Sequence, residues 1–153
     1  MKVHLLQIPP EGRRYEGEDP GSILDLPEAE VQPVSPVGYQ LDVGLSGGGL
    51  FATGRLWVEM RFQCVNCLER FTRPIEVNDF ACQVELTGNE TVDLTEPARE
   101  EIVLALPAHP HCDWNGERVC PGAFSATSAE ASVDPSTEPK AVWSALDQLN
   151  LKT

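Results

Sequence analysis

The chain has 153 residues, of which 24 are acidic and 11 are basic, so its formal net charge is −13 with histidine neutral. This length is sufficient for one domain with its own hydrophobic core. The negative charge argues against a domain that binds nucleic acid over its whole surface, because phosphate binding needs clustered lysine and arginine. It also disfavours docking on anionic lipid. Five cysteines in a chain of this length argue against a secreted disulfide framework, which leaves metal binding or free thiols.

The first quarter of the chain is predicted to contain one short strand followed by an acidic arm. Residues 2–8 have the pattern of a strand. Residues 9–36 contain six prolines, and residues 11–30 carry seven acids against two arginines, so this part is predicted to be loop or extended chain with one helical turn near 22–26. The apolar start is too short for a signal peptide, and no apolar run approaches the roughly 20 residues that span a bilayer. The expected location is therefore the cytoplasm, without membrane contact.

Alternating apolar and polar residues predict a long antiparallel hairpin in the middle of the chain. The alternation has period two over residues 37–46 and again over 52–64, and glycines at 47–49 join the two runs. A third run over 71–86 changes phase at Asn78 and Asp79, which predicts a bulge or a corner there.

A helix is predicted after the third run, because Asp93 or Thr95 can cap it, Pro97 suits its first turn and Pro107 ends it. A short second helix is predicted over 138–149. The predicted fold class is α+β: a bent antiparallel sheet or open β-barrel, with one helix after the third long strand and one at the C-terminus. We expect one domain over 1–153, divided into an N-terminal strand and arm (1–36), a sheet and helix core (37–107), a cysteine-containing loop (108–137) and a C-terminal helix (138–153).

The sequence Cys64-Val65-Asn66-Cys67 is the clearest local chemical motif. Two thiolates three positions apart at the end of a strand can bind one metal ion in a tight turn, and Asn66 tolerates the left-handed backbone that such a turn needs. A tetrahedral site needs two further ligands, which later residues supply. The predicted Zn²⁺ ligands are Cys64, Cys67, Cys112 and Cys120, with His109 and His111 as alternates.

Two other interpretations of the thiols stay open. They can be reduced thiols without a metal, or Cys64 and Cys67 can form a redox pair of the thioredoxin type. The redox chemistry favours a CxxC motif that opens a long helix, where the helix dipole lowers the thiol pKa, and Pro74 prevents such a helix here. Cys82 shares the apolar phase of its strand with Phe80, so it is predicted to be a small buried hydrophobic residue.

Residues 50–74 are locally basic, and part of this charge lies on one strand face. Arg55, Trp57 and Arg61 share the polar phase of the second long strand, and a tryptophan beside two arginines is typical of RNA stacking and phosphate contact. The alternative is a solvated sheet face, or a Trp57 covered by the C-terminal helix, and the overall negative charge favours this alternative. The predicted RNA or partner contacts are Arg55, Trp57, Arg61, Arg70 and Arg73.

Three blocks of the sequence resemble the signature of a known family. They are CVNCLERF at 64–71, similar to C-x-x-C-L-x-x-F/V; VDL at 92–94 followed by REEIVLALP at 99–107; and PKAVWSALDQL at 139–149. In order and spacing they resemble the YceD family of large ribosomal RNA subunit accumulation proteins, over about 37–153. The family often has a tight second cysteine cluster, of which Cys112 would be the first member and Cys120 the last, and the usual middle cysteine is missing here.

The resemblance implies a non-enzymatic factor in ribosome biogenesis that supports synthesis, processing or stability of large-subunit (23S) rRNA. The charge of −13 adds that a basic ribosomal or RNA-processing protein is a better partner than bare RNA, with at most a weak rRNA contact. Two alternatives remain, a zinc-ribbon-like protein-interaction module unrelated to ribosomes and a CxxC thiol oxidoreductase. The sequence leaves the oligomeric state open.

Overall fold

The computed structural model describes residues 1–27 and 31–122. The predicted C-terminal helix, the rest of the 108–137 loop and the third block of the family resemblance lie outside these residues. The described elements are β1 (Lys2–His4), a 3₁₀ turn (Leu5–Gln7), β2 (Arg13–Asp19), a second 3₁₀ turn (Gly21–Leu24), β3 (Val31–Pro33), β4 (Val37–Ser46), β5 (Gly49–Gln63), β6 (Arg70–Glu85), β7 (Thr91–Asp93) and α1 (Thr95–Leu104).

The predicted α+β class is confirmed, with an antiparallel sheet that is bent but not closed into a barrel. The strands run in the order β2-β4-β5-β6, and β3 pairs with the part of β5 that β4 leaves free. β1 and β7 form a separate two-stranded sheet. No helix in the described ranges is long and apolar enough to cross a membrane.

The predicted hairpin of β4 and β5 is confirmed, and its turn explains the glycine run. Ser46 pairs with Gly49, so the loop consists of Gly47 and Gly48, which both have positive φ (60° and 81°). Two residues with positive φ match the right-handed twist of the flanking strands. The alternation also holds, because every second residue of β5 from Leu56 onwards is buried in the core and its neighbours are exposed.

The predicted phase change in β6 is a β-bulge. Gly54 pairs with Phe80 and Leu56 with Val77, so Asn78 and Asp79 of β6 lie opposite one residue of β5. Gly54 itself has a φ of 155°, and a Cβ at this position would lie 2.1 Å from the carbonyl oxygen of Gln40. Only glycine is compatible with this close approach of backbone to backbone.

Two segments of the acidic arm, which was predicted to be loop or extended chain, are extended and pair as strands. Arg13–Asp19 pairs along β4 over its whole length, and Val31–Pro33 pairs with β5. β2 is rich in charged residues, which is typical of a strand at the edge of a sheet. Its Arg14 forms an ion pair with Asp42 on β4 at 2.8 Å. Because Tyr15 is its one large apolar residue, this strand shows no alternation of apolar and polar residues in its sequence. β1 is also shorter than predicted, because the chain turns at Leu5–Gln7.

Helix α1 covers one side of the sheet. Its buried residues are Ala98 and Ile102, and the helix contacts β5, β6 and the turn Gly21–Leu24. Neither predicted cap is the N-cap, which is Leu94. The carboxylate of Asp93, one residue earlier, accepts a hydrogen bond from the backbone N–H of Thr95 at 2.9 Å. This packing places the chain after α1 beside the end of β5.

Candidate metal centre

Four cysteines from two distant segments meet at one end of the sheet. Cys64 and Cys67 follow β5, and Cys112 and Cys120 lie in the segment after α1. The four sulfur atoms all lie within 4.8 Å of one another. The Sγ–Sγ distances are 3.7 Å between Cys64 and Cys120 and 3.7 Å between Cys67 and Cys112. The cysteines predicted as ligands are therefore close enough to hold one metal ion.

The first half of the site is a tight turn over residues 64–68, which we call the metal turn. The backbone N–H of Leu68 donates to the carbonyl of Cys64 at 3.0 Å, and the N–H of Cys64 donates to the carbonyl of Glu69 at 2.9 Å. The residue with left-handed backbone is Leu68, with a φ of 61°, and not Asn66 as predicted. The left-handed residue comes after Cys67 because the turn is closed there by the hydrogen bond from the N–H of Leu68 to the carbonyl of Cys64.

The second half is residues 108–122, which we call the metal loop. The backbone N–H of Val65 donates to the carbonyl of Pro110 at 2.9 Å, which joins the metal loop to the metal turn beside Cys112. At the other end, a Cβ on Gly122 would lie 2.5 Å from the carbonyl oxygen of Asn66. Arg118 adds an ion pair with Glu69 at 2.7 Å.

Burial and hydrogen bonding act in opposite directions on the thiols. Cys64, Cys112 and Cys120 are buried, and Cys67 is half-buried. Burial raises the pKa of the Cys64 thiol, but backbone N–H groups of Cys67, Asn66 and Cys112 and the Cys67 thiol lower this pKa to about 6. Burial and the neighbouring thiols raise the pKa of Cys112 to about 12. A cation among the four sulfurs would relieve the repulsion between thiolates.

The two histidines predicted as alternate ligands lie outside the cluster. His109 is exposed. The Nδ1 atom of His111 lies 3.2 Å from the Nδ2 atom of Asn66, so this ring contacts the metal turn without joining the sulfurs. Cys82, predicted to be buried, is on β6, where it is partly buried and packs against the core.

Four of the five predicted RNA or partner contacts lie on the exposed face of the sheet. Arg55, Trp57 and Arg61 alternate along β5, and Arg70 pairs opposite Gln63 on the same face. Trp57 is 39% exposed, and its ring covers Gly38 on β4, where a Cβ would lie 2.3 Å from the indole. The guanidinium of Arg55 is 5.4 Å from the centre of this ring. Trp57 is thus both a cover for the sheet and an accessible aromatic surface.

Arg73, the fifth predicted contact, lies on the other face of β6. It pairs opposite Met60, and its guanidinium is 4.9 Å from the ring of Trp114 in the metal loop. The Nε atom of Arg73 is buried and has no hydrogen-bond partner among the described residues. The strand phase was the available signal, because Arg73 shares the phase of the apolar residues Phe71 and Ile75. Trp114, which the sequence analysis did not single out, joins the metal loop to β6 through this contact.

Comparison with known proteins finds no matching family model, no matching curated protein and no matching solved structure.

Proposed function

We propose that this protein is a non-enzymatic factor in ribosome biogenesis whose functional surface is held together by one zinc ion. The observation that carries the metal site of this proposal is the convergence of Cys64 and Cys67 with Cys112 and Cys120, although 45 positions separate Cys67 from Cys112; the ribosomal role depends on the family resemblance. Such a closed four-thiol site binds the metal loop to the sheet, and the free energy of metal binding then contributes to the free energy of folding.

The sulfur geometry supports zinc as the metal. A tetrahedral zinc site with Zn–S bonds of about 2.3 Å has sulfur–sulfur distances of about 3.8 Å. Two of the distances in this cluster are 3.7 Å. Four thiolates without carboxylate or carbonyl ligands also suit a soft or borderline metal rather than magnesium or calcium. Four protein ligands fill the tetrahedral coordination shell, which supports a structural role and not a catalytic one.

The resemblance to the YceD family supports the ribosomal role. The first block of this resemblance contains the metal turn, and the second block overlaps β7 and α1. Cys120 lies in the cluster with Cys112 even though the middle cysteine of the family's second cluster is missing. On this basis we propose that the protein supports synthesis, processing or stability of 23S rRNA in the cytoplasm. It does so through a basic ribosomal or RNA-processing protein, with at most a weak contact of its own to rRNA.

The two alternatives use the same cysteines differently. A zinc-ribbon-like module unrelated to ribosomes would have the same metal site, so only a functional experiment separates it from the proposal. A thiol oxidoreductase needs an accessible nucleophilic thiol at the start of a helix. The metal turn instead leads into β6, and Cys64 is fully buried, which favours the metal over redox chemistry.

The test is a gene deletion complemented with the wild-type chain, with Cys112→Ser or with Cys82→Ser as the matched control. We expect the deletion to lower the ratio of 23S to 16S rRNA, and wild type and Cys82→Ser to restore it. Cys112→Ser should fail to restore the ratio, and the purified variant should lose its zinc in elemental analysis. A deletion strain with a normal rRNA ratio would leave the unrelated interaction module as the better interpretation.

A further inference from the structure

A groove between α1 and the turn Gly21–Leu24 has an apolar floor and an acidic rim. Its volume is about 480 Å³. Its apolar lining, which defines what we call the α1 groove, consists of Leu24, Leu26, Val103 and Leu104. Leu24 is fully buried at the bottom, whereas Leu104 is 78% exposed. Such exposure of a large apolar side chain beside a concave surface is typical of an interaction site.

A second face of helix α1 lines the α1 groove. Ala98 and Ile102 face the core, whereas Glu96, Glu100 and Val103 recur at the spacing of four and three residues on the other side. The helix is ten residues long, so this face extends for about 15 Å. That length is sufficient for a short helical or extended segment of another protein.

The rim carries a net negative charge. Asp25, Glu96 and Glu100 lie around the apolar floor. The only basic residue of the lining, Arg99, is 3.5 Å from Asp25 and 3.5 Å from Glu96, so two acids already engage it. No ion pair joins Glu100 to another residue in the described ranges. An occupant that brings positive charge would therefore meet unneutralised carboxylates.

We infer that the α1 groove binds a basic amphipathic segment of a protein partner, with apolar side chains in the groove and lysines or arginines against its rim. This inference rests on the proposed function and names the recognition site for its basic partner. Apolar burial supplies affinity, while the complementary charges raise the association rate and disfavour other partners. RNA and anionic membranes are unsuitable, because their phosphates would face Glu96 and Glu100.

The probe is a fluorescein-labelled amphipathic peptide with leucines at helical spacing and lysines on the flanks, titrated with the full chain and followed by fluorescence anisotropy. A second peptide with glutamate in place of each lysine is the matched control. We expect Leu104→Asp to weaken binding of the lysine peptide about tenfold. Glu100→Lys should weaken it about fivefold at low salt and less at high salt. Leu6→Asp and Glu85→Lys change residues that are also exposed but do not line the groove, and they should bind as wild type.

Several results would overturn the inference. The glutamate peptide could bind as tightly as the lysine peptide, or Leu6→Asp could weaken binding as much as Leu104→Asp. An oligouridine probe could bind and lose affinity in the same two variants, which would identify RNA as the ligand. Sedimentation could show a dimer that Leu104→Asp dissociates, which would make a second copy the occupant.

Failure of this inference is distinguishable from failure of the proposed function. If the peptide does not bind but the wild-type chain restores the 23S ratio in the deletion strain, the groove inference is wrong and the ribosomal role stands. If the rRNA ratio does not depend on the gene but the peptide binds as expected, the groove stands and the ribosomal role is wrong. Zinc content measured on Leu104→Asp confirms that the variant is folded.

Discussion

Gly122 lies directly against Cys67, because a Cβ on Gly122 would be 2.5 Å from the Cα atom and 2.6 Å from the Cβ atom of Cys67. The end of the metal loop thus contacts the metal turn through backbone alone. Side-chain bulk at residue 122 would displace the backbone that positions Cys120, which is two residues earlier.

Gly122→Ala is therefore expected to weaken zinc binding about tenfold, as changes to groups that position metal ligands commonly do. The measurement is competition with a chromophoric chelator. Gly116→Asn is the matched control, because Gly116 is in the same metal loop, no described heavy atom lies near its Cβ position, and asparagine tolerates its φ of 73°. Equal affinity of wild type and Gly122→Ala would show that the contact does not position the ligand.

Loss of a cysteine of the cluster should unfold the site as well as remove the metal. Cys112→Ser and Cys120→Ser are expected to contain no zinc after purification and to lose about 2 kcal/mol or more of unfolding free energy, which corresponds to roughly 6 °C in melting temperature. Elemental analysis and thermal unfolding measure the two effects. Cys82→Ser, which is outside the cluster, should keep one zinc per chain. Zinc retained in both cluster variants would contradict the proposed ligand set.

Gly54→Ala should destabilise the sheet at its bend. The added Cβ would meet the carbonyl oxygen of Gln40 at 2.1 Å, and the φ of 155° is unfavourable for any other residue, so a cost of about 3 kcal/mol is expected. Urea denaturation gives the value. Gly48→Asn, at a position with open space and positive φ, should cost much less. Similar stability of the two variants would mean that the bend adapts to a side chain.

The exposed face of β5 offers a matched pair of aromatic residues. Trp57 covers Gly38, and Phe51 covers Gly44 in the same way, but of these two rings only Trp57 has an arginine, Arg55, over it. Each alanine variant should fold and lose about 1 kcal/mol of stability, which chemical denaturation measures. If this face contacts RNA, only Trp57→Ala should reduce retention of a short single-stranded RNA. Equal retention by both variants would leave Trp57 with a structural role alone.

The start of α1 should carry a pH-dependent contribution to stability. Burial opposes ionisation of Asp93, but hydrogen bonds from Thr95 and the positive charges of the N-terminus and Lys2 lower the pKa of this carboxyl below its usual value. Its contribution is therefore fully present above the unfolded pKa of about 4 and disappears as pH falls through the lowered folded pKa.

Asp93→Asn keeps an acceptor for the Thr95 N–H but removes the charge. It should cost about 0.5 kcal/mol at neutral pH and less at an acidic pH where the carboxyl becomes protonated. Wild type and variant are compared at each pH, so that acid release of the metal affects both. Glu85→Gln, on an exposed position away from the helix, is the control and should show no such difference. A cost for Asp93→Asn that is the same at both pH values would contradict the charge interaction.

The sequence alone determined the central hairpin, the position of the bulge at Asn78 and Asp79, and the helix after β6. These features are local, because side-chain alternation in a strand and the capping of a helix depend on residues within a few positions. The cysteines were recognised as candidate ligands for the same reason, since a CxxC spacing identifies a turn that can hold one side of a metal ion.

Only the tertiary structure decided which distant groups meet. Residues 13–19 form a strand because they pair with the edge of β4, although their charged sequence shows no alternation of apolar and polar residues. Leu68, and not Asn66, has the left-handed backbone because the metal turn closes on the carbonyl of Cys64. The paths of β6 and α1 return the chain to the end of β5, which brings Cys112 and Cys120 to the first pair and places Trp114 on Arg73. Such contacts depend on the sum of many element lengths and packing angles, which no local pattern specifies.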